Sequence, residues 1–191
     1  MRLFSALLFA YLLPSGALLR HAVTRAEGES TPLGTLSGIA TLEDGQHAPF
    51  TLQLKSKHHC ALELPPAVSA TRDLLLELAC PLVTLRGGSS EEGESILRRF
   101  LERQQIALAP IALTRLNSEA SYVLGVAPQQ LWLSRQEFRP VRLSAKAGAR
   151  TVDLRIGEWS SPAVGDSFPR TIELWEGDRA LLKLSVERAT R

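Results

Sequence analysis

Apolar and polar residues alternate one by one along much of this chain, and a period of two marks a strand with one buried face. Residues 50–57 place Phe50, Leu52 and Leu54 on one side and Thr51, Gln53 and Lys55 on the other. Residues 35–42 put Leu36, Gly38, Ala40 and Leu42 on one face. Residues 58–64 repeat the pattern with Cys60, Leu62 and Leu64, until Pro65-Pro66 ends the ladder because proline cannot donate to it. Alternation resumes over 122–126, 130–134, 140–145, 151–159, 171–176 and 180–188. Within these, Val152, Leu154 and Ile156 oppose Asp153 and Arg155, while Leu182, Leu184 and Val186 oppose Lys183, Ser185 and Glu187. Short turn-forming stretches at 44–45, 146–150 and 177–178 read as strand connections. The expected fold is mainly β, an antiparallel sheet with one apolar and one polar face.

One stretch has the helical period instead. Ser89 and Glu92 have the spacing of a capping box, and Ile96, Leu97, Phe100 and Leu101 follow at helical spacing, with Arg98, Arg99 and Glu102 outside. This predicts a helix over 90–105. Gly87-Gly88-Ser89 before it reads as a cap rather than an anion site, because Glu91 and Glu92 already fill the first turn. The apolar runs 74–79 and 82–86, around Cys80-Pro81, are too short for periodicity to choose between helix and strand.

The first residues follow another pattern. Arg2 precedes an apolar run over 3–13, and Pro14-Ser15-Gly16-Ala17 follows it. A charged start, a short apolar segment and a small-residue site are the order of an export signal. Cleavage is expected after Ala17 or after Ala26, leaving residues 27–191 as one domain; a retained anchor is the alternative, though Pro14-Ser15-Gly16 interrupts the run. Residues 1–26 are then a leader outside the fold, and the protein is periplasmic.

Charge and cysteine content follow from that division. The 191 residues carry a net charge of +2, which offers no basic footprint for nucleic acid. Removing Arg2, Arg20 and Arg25 takes the 22 basic residues to 19 against 20 acids, a net of −1. Cys60 and Cys80 are an even pair that would meet an oxidising compartment, so a disulfide is preferred over two free thiols.

Catalytic signatures are missing. The sequence has no Gly-x-Ser-x-Gly elbow, no His-Glu-x-x-His, no phosphate loop and no dinucleotide glycine pattern. His58-His59-Cys60 invites a metal reading, but strand geometry puts His58 and Cys60 on one side and His59 on the other, with no further ligand cluster at hand. Glu158, Asp166 and Glu173 read as solvated strand and loop acids, and Trp132, Trp159 and Trp175 as core or rim residues. No catalytic residue, metal or cofactor is expected, and the leucine face itself is the candidate binding surface.

The second half has a recognisable order. Tyr122-Val123-Leu124-Gly125 leads to Gln130-Leu131-Trp132-Leu133-Ser134, then Phe138-Arg139-Pro140-Val141-Arg142-Leu143. Val152-Asp153-Leu154-Arg155-Ile156 with Trp159 follows, and then Phe168-Pro169-Arg170-Thr171-Ile172-Glu173-Leu174-Trp175. Over 120–188, about a third of the chain, this resembles the later strands of the LolA/LolB-like periplasmic lipoprotein carriers. The resemblance implies an unclosed antiparallel β-barrel with one or more covering helices. It also implies an apolar cavity that takes lipid or lipoprotein acyl chains for transfer toward the outer membrane. The apolar faces read from alternation and helical spacing supply its expected lining: Leu52, Leu54, Leu62, Leu64 and Phe100, which lie outside the resemblance, and Leu131, Leu133, Val141, Leu143, Leu154, Ile156 and Leu174 within it. An envelope sensor or interaction domain with the same fold, meeting envelope proteins, is the other reading. Members of the family begin with a helix before the first strand; residues 27–34 are too short and too rich in Gly and Pro to supply one.

Overall fold

A computed structural model describes residues 13–24, 31–55, 59–162, 164–165 and 167–191. In it the alternating stretches are strands of a single sheet: β1 (Gly34–Leu42), β2 (His47–Lys55), β3 (His59–Glu63), β4 (Ile111–Leu116), β5 (Glu119–Val126), β6 (Gln129–Ser134), β7 (Pro140–Ala147), β8 (Arg150–Gly157), β9 (Thr171–Glu176) and β10 (Arg179–Thr190). Their order is β3-β2-β1-β10-β9-β8-β7-β6-β5-β4, antiparallel throughout. The last strand returns beside the first, and β3 and β4 remain as the two ends, so the sheet does not close. The architecture is the expected half-barrel with covering helices.

Register explains why one face is apolar. Leu124, Leu131, Leu143, Leu154, Leu174, Leu182 and Leu42 stand opposite one another in turn, forming one rung across β5, β6, β7, β8, β9, β10 and β1. All but Leu42 are fully buried. Full burial of a leucine side chain contributes roughly 1.5–3 kcal/mol, so the rung alone is a major source of stability. On the opposite face the same strands carry Trp132, Arg142, Arg155, Glu173 and Lys183 in register. At β1 a register shift lies between Ser37 and Gly38, where a Cβ would fall 2.0 Å from the Ser185 carbonyl oxygen, so only glycine lets β10 approach.

β4 has no counterpart in the sequence reading. Its side chains are half-buried or exposed on both faces, so no alternation marks it. The run 74–79 and the first two residues of the run 82–86 lie in one helix, α2 (Ser69–Val83), and residues 84–86 form the turn that follows it. Leu75, Leu78, Ala79 and Leu82 bury one stripe at spacings of three and four, and Pro81 is tolerated close to the helix end. The capped helix is α3 (Ser90–Arg103); Ser89 Oγ accepts from the Glu92 N–H at 3.3 Å. Cys60 and Cys80 are disulfide-bonded with Cα atoms 5.8 Å apart, tying the last turn of α2 to β3.

The amino-terminal segment enters the fold in part. Helix α1 (Ser15–Val23) starts after Pro14 and buries Leu18, Leu19, Ala22 and Val23 in the common core. It supplies a helix ahead of the first strand, which residues 27–34 alone do not. Of the stretch 1–26 read as a leader, residues 1–12, 25 and 26, including the site after Ala26, lie outside the described residues.

Candidate functional site

Two places on this scaffold have the form of a binding site. The first is the space between the helices and the concave leucine face. Ten of the twelve residues expected to line a cavity lie in one core cluster: Leu52, Leu54, Leu62, Phe100, Leu131, Leu133, Leu143, Leu154, Ile156 and Leu174. Each is no more than 5% exposed. Leu64 is partly buried against them. Side chains from Leu75, Leu78 and Leu82 of α2 and Leu97, Phe100 and Leu101 of α3 belong to the same cluster. The opening bordering it, beside Ala22, Leu82, Pro140 and Trp159, holds about 10 Å³, barely the room of one water molecule. The core is closed in this structure.

Val141 stands apart from this set. The register shifts between Trp132 and Leu133, so Trp132 faces Arg142 and Leu133 faces Pro140. Val141 falls in the irregularity, is half-buried, and lines an outer groove instead. A single extra residue moves a side chain to the other face.

That groove is the second place, an open space of about 1030 Å³. It is walled by the β4–β5 turn at Asn117 and Ser118, the β6–β7 turn at Arg135, Gln136 and Glu137, and the end of β8 at Gly157, Glu158 and Trp159. Several of its charges are already paired. Arg142 donates Nε to Asp153 Oδ1 at 2.9 Å and Nη2 lies 2.7 Å from Oδ2, a two-point pairing, while its guanidinium stands 5.1 Å from the Trp132 ring. Arg155 sits 4.3 Å over the Trp175 ring and 3.6 Å from Asp153. Glu173 accepts from Trp175 Nε1 at 2.9 Å and pairs with Lys183 at 2.8 Å. Trp159 Nε1 donates to the Pro140 carbonyl at 2.9 Å, with the Arg139 guanidinium 4.9 Å from its ring. Two of these arginine–tryptophan pairs bridge consecutive strands, β6 to β7 and β8 to β9, and the third joins residues flanking β7 and β8; each depends on the register of its hairpin, which alternation alone does not give.

The candidate chemistry residues are not gathered. Among the described residues no group of three or more His, Cys, Asp or Glu is placed to hold a metal ion. His47 Nδ1 lies 3.1 Å from Thr41 Oγ1, His59 is exposed on β3, and Cys60 is committed to its disulfide. Glu158 pairs with Arg170 at 3.5 Å. His58 and Asp166 lie outside the described residues. No helix among the described residues is long and apolar enough to cross a membrane.

Sequence reasoning missed Arg86. It is buried, and Nε donates to the Ala22 carbonyl at 2.9 Å, with Nη2 reaching the His21 carbonyl at 3.5 Å and also the Glu137 carbonyl. It joins α1, the turn after α2 and the β6–β7 turn. Its only sequence signal is a charge at the end of an apolar run.

Comparison with known proteins leaves the geometry to stand alone: no family model, curated protein or solved structure matches this chain.

Proposed function

We propose that the protein is a periplasmic carrier that takes lipid or lipoprotein acyl chains between its helices and the concave leucine face, and that this structure is its closed form. The observation that carries the reading is the chemistry of that interface. Apart from Cys80, whose sulfur is held in the disulfide, the buried side chains of α2, α3 and the leucine rung contain only carbon and hydrogen. Their contact is non-directional, so methylene groups of a guest can replace it without leaving hydrogen bonds unmade. α2 is joined to β3 by a short connection at its start and by Cys60–Cys80 near its end, so it would move together with a free end of the sheet. The disulfide suits an oxidising compartment such as the periplasm.

Delipidated protein titrated with a fluorescent fatty acyl probe tests this. Saturable binding, displaced by unlabelled fatty acid, is expected, with faster amide exchange in α2 and α3 and unchanged protection in β7, β8 and β9. Absence of saturable binding refutes it. The closed core and the groove on the opposite face favour a second reading, an envelope sensor or interaction domain that uses its outer surface. On that reading the titration shows no uptake.

A further inference from the structure

We propose that α1 is a permanent part of the folded protein, so that any removal of the amino-terminal apolar run cuts the chain at or before Ala17 and not after Ala26. The choice between these sites rests on the reading that the run directs export. It is decided by what each cut takes away. A cut after Ala17 leaves Leu18, Leu19, Ala22 and Val23, all buried, in place. A cut after Ala26 removes all four and opens the core beside α3.

The seat of α1 is built for it. Gly93 lies in the first turn of α3, where a Cβ would stand 3.1 Å from Val23 Cβ and 3.0 Å from the Leu85 carbonyl oxygen. Only glycine permits this approach without displacement. The last carbonyls of a helix have no partner within it, and a cation there is favourable. In α1 the His21 and Ala22 carbonyls accept from the buried Arg86 guanidinium. The His21 ring stacks on Phe138 at 4.7 Å. Contacts from α3, the turn after α2 and the β6–β7 turn thus converge on the carboxyl-terminal half of α1. A discarded leader needs no such seat.

The test uses the full chain expressed with its own amino terminus, recovered folded and disulfide-bonded, and weighed intact. The expected first residue is Leu18 or an earlier one, and the amides over 18–23 should exchange at least about 100-fold more slowly than in the unfolded chain. Recovery of the uncut chain with those amides protected supports the inference while counting against export by cleavage, so the two readings fail separately. A folded product beginning at Glu27, or unprotected amides over 18–23 in the full chain, overturns it.

Discussion

Leu154→Ala probes the centre of the leucine rung. Leu154 is fully buried on β8, opposite Leu143 on β7 and Leu174 on β9, both fully buried as well. The substitution deletes three carbon groups, a transfer loss of about 2.4 kcal/mol at ~0.8 kcal/mol for each. Strands held by ladders on both sides collapse little, so a cavity term adds to this, and the total should be about 3–5 kcal/mol. For a chain of this length that corresponds to a Tm lower by about 10 °C. Leu113→Ala is the control: Leu113 is 43% exposed on β4 at the end of the sheet, and its truncation should cost under about 1 kcal/mol. Urea unfolding of both variants, with the slope m unchanged, gives the two values directly. A cost below about 1 kcal/mol for Leu154→Ala, or equal costs for the two variants, would refute the claim that the rung is the centre of a tightly packed core.

Replacing both Cys60 and Cys80 by serine should lower stability by about 3 kcal/mol, the chain-entropy value for a loop of 20 residues; thiol titration of the unfolded, unreduced parent should find no reactive thiol, and finding two contradicts the pairing. Arg86→Met removes charge-assisted bonds to the carbonyls of His21, Ala22 and Glu137. A loss of about 2–4 kcal/mol is expected, with exchange in α1 rising more than in β8; uniform change across the protein would count against its role in holding α1. Gly93→Ala gains up to about 1 kcal/mol of helix propensity, yet it should destabilise by about 1–3 kcal/mol through contact with Val23 and the Leu85 carbonyl. A higher Tm for this variant would show that the approach of α1 to α3 is loose.

Much of the secondary structure was legible in local sequence. Leu52 and Leu54, Leu131 and Leu133, and Leu182, Leu184 and Val186 lie on buried strand faces as their alternation predicts. Ser89 caps its helix because the cap is a bond between residues three apart. The cysteine pair followed from an even count. Where tertiary context competes with local pattern, the reading ran out. Val141 carries the parity of an inward residue, but a bulge in its pairing with β6 moves it outward. The run before Pro81 had too few residues to declare its period, and packing against β3, α3 and the sheet made it helix. β4, with both faces open, left no alternation to read.

By itself the sequence determined that this chain builds an amphipathic antiparallel sheet with a capped helix and a leucine face, because those properties depend on residues two to four positions apart. Only the tertiary structure decided that β10 closes beside β1 while β3 and β4 stay apart, that seven leucines align into one rung, and that α1 belongs to the core. It also placed the arginine–tryptophan pairs around an outer groove and filled the space beneath the helices. The β1–β10 pairing and the burial of α1 depend on which distant segments meet, and the rung and the arginine–tryptophan pairs on the register between neighbouring strands; both are set by the joint burial of faces, which no local window contains.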